Sequence, residues 1–365
     1  MWTLTRKKPL IFSAVCHLSF AVAALGFLTF PPAQQGGMSS DAVFKHAKEE
    51  FFSGNLDSAY KNLLLSGSLK DEEEWRKFYC LTLIGLNRPV DAAAYRAGIK
   101  SPSEGEKKRL KYLLDRQGIE RAYPRFKASG APVSVSKEIC KKARAVAMNN
   151  GSVFVLTDTA LIEFDPGGKF LESAAFSDGR ELLSGGESRA TVLTGDCILT
   201  QSKKIVLPLE IVSAVSFARA PGGCFYVLDS ANKVFLISRE GSLLQERRIL
   251  IKKPRKIRTD ELFRVFILSA QDEVFVYSAS FEPITVLSQK LRDAGTGSVS
   301  DIFTDFAGDL IFGGGGAQLF FFNFNQDFLG KSVKDDFRAD IVWWNGEDTV
   351  LTLDKKRGVI RKIVL

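Results

Sequence analysis

Histidine is nearly missing from this chain. Only His17 and His46 occur among its 365 residues, so the sequence beyond residue 46 contains none. That long stretch can carry neither a histidine-ligated metal ion nor a histidine general base, which removes the commonest acid–base and metal chemistry of enzymes. We therefore predict no catalytic residues, no metal site and no cofactor.

Cysteine is also scarce, and its spacing indicates no known type of site. Cys16 lies in an apolar N-terminal run, while Cys80, Cys140, Cys197 and Cys224 are scattered without a C-x-x-C pair. Neither a zinc site nor a disulfide framework is indicated by this spacing. We expect buried free thiols, and a disulfide between two distant cysteines stays open in an oxidising compartment.

The overall composition is that of a folded protein with a mild basic excess. Apolar residues make up 45% and charged residues 25% of a chain long enough for two folded units and a leader. The formal net charge of +8 is compatible with an anionic surface or partner, but it is too small to prove one.

An apolar run near the N-terminus predicts export. Arg6, Lys7 and Lys8 precede apolar residues 10–30, and two prolines then stop any helix. Twenty-one residues in a helix span roughly 30 Å, enough to cross a bilayer. The next basic residue is Lys45, so the positive-inside rule places the N-terminus in the cytoplasm and the body of the protein outside.

Two fates of this leader stay open. Ala21-Val22-Ala23 fits a cleavage site for a signal peptide, whereas the apolar residues that follow fit an uncleaved membrane anchor. Lipidation of Cys16 is less favoured, because Val15 stands where processing prefers a small residue. We interpret residues 1–31 as a signal peptide or N-terminal anchor and 32–39 as a linker. The body is then anchored facing the periplasm or the extracellular space, or is secreted into it.

Residues 40–123 show the periodicity of paired amphipathic helices. Apolar side chains recur at helical spacing from Phe44 to Phe52, Gly54-Asn55 interrupts them, and a second stripe follows. A second pair of stripes is interrupted at 87–89. Phe44 and Phe78 are 34 positions apart.

A 34-residue period of paired helices resembles the tetratricopeptide repeat (TPR), with Gly54 at the turn of the first copy. The second copy has Arg88 at the turn position, and residues 104–116 predict a capping helix. The resemblance implies peptide binding in a groove formed by the first helix of each repeat. The candidate groove residues are Phe44, Lys48, Phe51, Phe78 and Thr82. The alternative is that the aromatic residues fill the core between the repeats.

After a linker at 124–131, residues 132–365 change to short β-rich runs separated by Gly, Asp and Asn. Residues 221–241 read as a glycine turn, a buried strand, an Asp-containing turn and a second strand. This segment resembles an NHL repeat, one blade of a six-bladed β-propeller. The fold class is thus α+β multidomain, with a short TPR-like helical stack followed by an all-β six-bladed propeller.

Six strands of similar character support six blades. They lie at residues 153–158, 197–200, 225–229, 265–269, 309–312 and 349–354. Most are about 40 to 45 positions apart, the length of a four-stranded blade. The shorter interval between the second and third predicts that blade two lacks a strand or has very short turns. Because no residues follow Leu365 to form a last outer strand, we expect residues near 133–136 to close the ring.

Carboxylates and glycines in this region have simple structural interpretations. Asp158, Asp229 and Asp354 end corresponding strands, and such repetition indicates a turn role rather than catalysis or calcium binding. Asp301 and Asp305 form a weak candidate metal pair. Glycines 313–316 are not followed by the Lys-Ser or Lys-Thr of a phosphate-binding loop, so we expect a hairpin turn.

One basic cluster is a candidate binding site. It comprises Lys252, Lys253, Arg255, Lys256 and Arg258, and we predict that it lies with Arg247 and Arg248 on the connection between blades three and four. Some NHL propellers bind RNA on a basic face, but export argues against a nucleic acid here. Anionic lipid, a cell-wall polymer or an acidic protein are better candidates, and a solvated loop is the alternative.

These observations predict a bacterial-type envelope or extracellular scaffold that is not an enzyme. The helical repeats would bind one protein of the envelope or surface, and a propeller face would bind another. The competing hypothesis is a propeller hydrolase or lyase that uses carboxylates on the central face. A role as assembly factor for surface proteins would use the same architecture.

Overall fold

We analysed a computed structural model of the chain. It describes residues 38–86, 88–99, 101–102, 107, 111, 132–149, 151–183, 190–200, 203–260, 262–305, 308–314, 318–323, 325–332, 339–345 and 349–364. The predicted leader lies outside these residues. Within them, no helix combines the length and the apolar character needed to span a bilayer.

The N-terminal part of the described chain consists of helices paired in sequence. They are α1 (Ser40–Phe52), α2 (Leu56–Leu65), a short 3-10 helix (Gly67–Leu69), α3 (Glu73–Gly85) and α4 (Pro89–Ala97). Ser39 begins α1 by accepting a hydrogen bond from the Ala42 amide at 3.3 Å. Gly54, with φ +82°, turns the chain between α1 and α2 as predicted. Of the predicted capping helix, only Lys107 and Lys111 are described, and both are helical.

Aromatic rings fill the space between the helices. Phe51 and Phe78 pack edge to face with ring centroids 5.3 Å apart, and Phe44 contacts Phe78 in the same way at 6.0 Å. The indole of Trp75 donates a hydrogen bond to the hydroxyl of Ser66 at 2.9 Å. These contacts give the helices a core of their own.

The C-terminal part is a six-bladed β-propeller of six four-stranded antiparallel sheets. Blade 1 contains β2 (Ala145–Asn149), β3 (Ser152–Leu156), β4 (Ala160–Phe164) and β5 (Phe170–Ala175); blade 2 contains β6 (Glu181–Leu183), β7 (Thr191–Leu193), β8 (Cys197–Leu199) and β9 (Lys204–Val206). Blade 3 contains β10 (Ala214–Arg219), β11 (Phe225–Asp229), β12 (Lys233–Ile237) and β13 (Leu243–Arg248); blade 4 contains β14 (Pro254–Thr259), β15 (Val265–Ser269), β16 (Val274–Tyr277) and β17 (Pro283–Val286). Blade 5 contains β18 (Val299–Thr304), β19 (Leu310–Gly314), β20 (Leu319–Phe322) and β21 (Phe328–Lys331); blade 6 contains β22 (Ile341–Trp344), β23 (Thr349–Asp354), β24 (Val359–Val364) and β1 (Pro132–Val133).

Two short helices lie on connections between blades. They are α5 (Lys137–Lys142), before blade 1, and α6 (Ser288–Ala294), before blade 5. Burial follows strand position within a blade. Every residue of the second strand β15 is buried, whereas every residue of the outer strand β5 is exposed. The propeller core therefore lies between neighbouring blades, where the second strands of aliphatic and aromatic residues pack.

The ring closes as the sequence predicts. β1, which precedes all other strands, forms the outer strand of blade 6 by pairing with β24, with Val133 opposite Ile360. The side chain of Val133 is buried against the blade 1 and blade 6 core. Closure therefore joins the two ends of the propeller within one sheet.

Blade 2 differs from the prediction. It has all four strands, each only three residues long. Cys197–Leu199 is its third strand rather than its second, which is β7 (Thr191–Leu193). The interval between the strands assigned to blades two and three looked short for this reason. The prediction had compared the third strand of blade 2 with the second strands of the other blades.

The two faces of the propeller differ in what covers them. We call the face with the connections between blades and between second and third strands the upper face, and the opposite one the lower face. The helices pack on the lower face of blade 4, where the Ser280 amide donates to the Phe52 carbonyl at 3.1 Å and Leu262 joins the helical core. Of the described helices, α1 to α4 therefore lie on the lower-face side, whereas the short helices α5 and α6 belong to connections of the upper face.

Candidate binding surfaces

Aspartates at strand ends have the predicted turn role in two of three positions. Asp229 Oδ1 accepts from the amides of Ala231 at 2.8 Å and Lys233 at 3.1 Å, and Asp354 Oδ1 accepts from the Arg357 amide at 2.9 Å. Asp158 instead pairs with Arg144. The turn in blade 1 is stabilised by Thr157, one residue earlier, whose hydroxyl accepts from the Ala160 amide at 3.0 Å.

The candidate metal pair is engaged in other contacts. Asp305 Oδ1 accepts from the Asp309 amide at 2.7 Å, and Asp301 pairs with basic side chains at the propeller axis. In the part of the chain that the structure describes, no three His, Cys, Asp or Glu residues are grouped so that they could hold a metal ion. In the described residues, Cys80, Cys140, Cys197 and Cys224 form no disulfide with one another.

A buried ionic network crosses the propeller axis. Arg258 on β14 lies 3.3 Å from Glu181 on β6 and 3.1 Å from Asp301 on β18. Lys256, two residues earlier on β14, contacts the same carboxylates at 3.1 and 3.0 Å. The Ser216 hydroxyl on β10 donates to Glu181 at 3.3 Å. Two cations and two anions thus join the first strands of blades 2, 4 and 5, and the first strand of blade 3 joins them through the Ser216 hydroxyl.

The network keeps its glutamate ionised. Burial opposes the charge of Glu181, but Arg258 and Lys256 more than offset it and lower the pKa of that carboxyl to about 2. A general acid at neutral pH needs a raised pKa, so Glu181 is unsuited to that role. The acidic side chains that converge on the axis therefore form a structural ion network, as the direct contacts to Lys256 and Arg258 indicate.

The basic cluster is divided between two environments. Lys252 and Lys253 lie exposed on the connection between blades 3 and 4, as predicted. Arg255, Lys256 and Arg258 do not, because they belong to the first strand β14. Arg255 Nη2 lies 2.7 Å from Asp272 Oδ1 on the upper face. The other two predicted members, Arg247 and Arg248, belong to the outer strand β13.

The five predicted groove residues lie together in the helical part. The rings of Phe44, Phe51 and Phe78 are buried between the helices. The Thr82 hydroxyl is buried and donates to the Phe78 carbonyl at 2.7 Å. Lys48 lies 3.1 Å from Glu74 and 4.8 Å from the centroid of the Phe44 ring. Four of the five thus pack inside the helical core, and only Lys48 reaches its surface.

A second basic surface surrounds the junction where the ring closes. We call it the closure seam and define it as α5, Arg144 and the turn 355–358. Gly358 packs so closely on α5 that a Cβ there would lie 2.5 Å from Lys137 Cγ. Lys142 and Lys356 are exposed, and Lys355 is half-buried. Burial and then Arg144 lower the pKa of Lys355, and Lys256 acts in the same direction.

Three large aliphatic side chains are almost fully exposed on the upper face. Leu209 and Val212, on the connection between blades 2 and 3, are 98% and 83% exposed, and Leu250, on the next connection, is 94% exposed. Ile249 and Ile251, on either side of Leu250, are buried in the propeller core and fix its position. We call Leu209, Val212 and Leu250 the apolar patch. A cleft of about 310 Å³ opens on the same face beside Arg255, Asp272 and Asp340.

The sequence did not indicate the closure seam or the apolar patch. It also did not indicate that Glu181 and Asp301 pair with Lys256 and Arg258 at the propeller axis. The seam is visible in the sequence only as Lys355-Lys356-Arg357 and the basic residues of 137–144, which are more than 200 positions apart. Leu250 stands in an aliphatic run, where its exposure cannot be told from the burial of its neighbours.

Comparison with known proteins identifies similar folds but no family. No protein-family model matches the sequence, and neither does any curated protein. Solved propellers are similar at low identity. The WD40 domain of Pan2 from Neurospora crassa has 8% identity over 60% of this chain and 88% of its own, with a TM-score of 0.46. YCF48 bound to D1 peptide has 14% identity over 61% and 77%, also with a TM-score of 0.46. At this similarity the propeller assignment rests on the strand order of the chain itself.

Proposed function

We propose that the protein is a non-enzymatic scaffold that binds another protein through the upper face of its propeller. The observation that carries the proposal is the apolar patch. Single exposed aliphatic residues are common on protein surfaces. Three almost fully exposed aliphatic side chains on two successive connections of one face are better explained by a binding surface.

The surroundings of the patch fit a protein interface. Lys252 and Lys253, exposed next to Leu250, provide a charged border beside the aliphatic side chains. Interfaces between proteins commonly combine an apolar centre with a polar rim. Helices α1 to α4 pack on the lower face of blade 4, whereas Leu209, Val212 and Leu250 stay exposed on the upper face.

A catalytic role has no comparable support. The carboxylates nearest the axis are paired with Lys256 and Arg258, and the pKa of Glu181 is far below that of a proton donor. A propeller hydrolase or lyase would need a carboxyl group free to exchange a proton with a substrate.

The location and the finer family assignments belong to the same proposal. The leader at residues 1–31, which supports export to the envelope or the extracellular side, rests on its apolar and basic sequence pattern. The paired helices support a TPR-like stack, and the strand–turn–strand pattern of residues 221–241 supports an NHL-like blade. In this proposal, helices α1 to α4 contact the lower face of the propeller, and the upper face binds the partner protein.

Site-specific photo-crosslinking in the producing cells tests the proposal. A photoreactive amino acid at Leu250 should give one discrete adduct of higher mass with another protein. The same residue at Ile284, which is 50% exposed on the outer strand of blade 4, is the matched control and should give none. Leu209→Ser should weaken the adduct at Leu250. Equal adducts from both positions, or none from Leu250, would contradict a binding surface on the upper face.

Fractionation of the same cells tests the location. The protein should be recovered with the envelope or outside the cell. Recovery of the folded body in the cytosolic fraction would contradict export.

A further inference from the structure

The mouth of the propeller axis on the upper face contains a lysine whose charge is incompletely compensated. Lys355 belongs to the turn between the second and third strands of blade 6 and is half-buried. In the described part of the chain, its ammonium group makes no ion pair within 4 Å. A half-buried cation without a close anion is unfavourable, because it has lost water without gaining a partner.

The charged groups around Lys355 explain the imbalance. Burial and the nearby Arg144 and Lys256 disfavour its positive charge, and the nearby Asp340 and Asp158 favour that charge without offsetting them. The two carboxylates also have other contacts. Asp158 pairs with Arg144, and Asp340 Oδ2 accepts the backbone amide of Lys355 at 2.9 Å. Lys256 is in turn shared between Glu181 and Asp301.

From this arrangement we infer that the mouth binds an acidic side chain of the partner protein, with Lys355 as the residue that contacts its carboxylate and the closure seam as the surrounding basic surface. This inference rests on the proposed function, since it specifies the chemistry of the partner that the upper face binds. The carboxylate would supply the anion that Lys355 lacks and would lie between Lys355 and Arg144.

The shape and charge of the site favour an acidic peptide over other polyanions. A flat bilayer cannot reach a lysine recessed into a turn, whereas a single aspartate or glutamate side chain can. A nucleic acid would bring several phosphates close to Glu138 of the seam and to Asp158, which pairs with Arg144. A peptide can place one carboxylate in the mouth and lay apolar residues along the apolar patch on the same face.

Binding of a fluorescein-labelled hexaglutamate peptide to the full chain in mild detergent tests the inference. Fluorescence anisotropy at physiological salt measures its affinity. Lys355→Gln should weaken binding about tenfold, the loss expected for one charge-assisted contact. Lys356→Gln is the matched control, because it removes the same charge from the next residue, which is exposed. It should change the affinity less than about twofold.

The fold of each variant is checked by its thermal unfolding midpoint, which should not fall for Lys355→Gln, since an unpaired half-buried charge is removed. Equal losses for both variants, or no hexaglutamate binding by the wild-type chain, would overturn the inference. It would also be overturned if phosphatidylglycerol vesicles or a single-stranded oligonucleotide depended on Lys355 more strongly than the peptide does. A Lys355-dependent peptide affinity together with no crosslink at Leu250 would support the anion site and contradict the apolar patch, so the two proposals fail separately.

Discussion

Phe52 of α1 packs edge to face against Phe263 of blade 4, with ring centroids 5.5 Å apart and ring planes at 69°. Phe263 has φ +58°, in the left-handed region that bulky residues rarely adopt. Its backbone conformation is therefore maintained by surrounding packing, which includes the helices. The contact joins the helical part to the propeller and makes the stability of one depend on the other.

This dependence predicts a measurable coupling between the two rings. Phe52→Ala and Phe263→Ala should each lower the free energy of unfolding, and the double variant should lose less than the sum of the two. We expect a coupling of roughly 0.5–1.5 kcal/mol, the range for aromatic pairs. Urea denaturation of the four proteins measures it. Phe328→Ala, on the outer strand of blade 5 and partly exposed, should be additive with Phe52→Ala; additivity of Phe52→Ala with Phe263→Ala would contradict the interface.

The axial network predicts a specific loss of stability in acid. Glu181 has an ordinary pKa of 4.5 when unfolded and a pKa lowered to about 2 when folded. Its contribution to stability is therefore present above pH 4.5 and is lost as the pH falls towards 2. Urea unfolding of the wild type between pH 5 and pH 2 should show this decline, and Glu181→Gln should make it shallower. Glu240→Gln, an exposed change on the lower face, should leave the slope unchanged. An unaltered slope in Glu181→Gln would show that the network does not hold the glutamate ionised.

Because β1 closes the ring, we expect substitutions in this short strand to have a large effect on the free energy of unfolding. Val133 is only 4% exposed and pairs with the last strand of blade 6. Val133→Asp would bury an unpaired carboxylate and should destabilise the protein by about 4 kcal/mol or more. Pro132→Ala, at the exposed neighbour in the same strand, should cost less than about 1 kcal/mol. Thermal or urea unfolding measures the loss of stability in both variants. Small and similar losses would mean that β1 contributes little to the stability of the protein.

Much of the propeller could be predicted from local sequence. The runs at 225–229, 265–269 and 349–354 are aliphatic stretches bounded by turn residues, and the structure confirms each as a second strand. The closing strand was predicted from a physical requirement, since an open last blade would leave an unpaired edge. Blade 2 was misassigned because three-residue strands give too little pattern to separate a second strand from a third.

The candidate sites could be predicted less well, since they depend on distant residues. Lys256 and Arg258 were assigned to a loop because charged residues usually lie at the surface, but a propeller axis accepts polar side chains when they meet opposite charges. Their partners Glu181 and Asp301 are separated from them by more than 40 positions, and no local pattern connects them. For the same reason nothing marked Lys355 as a neighbour of Arg144.

The pairing of β1 with β24 also has a consequence during synthesis. Residues 132–133 leave the ribosome more than 220 residues before the strand at 359–364 that they join. Until that strand arrives, β1 has no strand to pair with, and the core between blades 6 and 1 stays open to solvent. A contact that spans so much sequence slows folding. If the chain crosses a membrane before it folds, the nascent ring is vulnerable to proteases and to aggregation until its final strand has emerged on the far side.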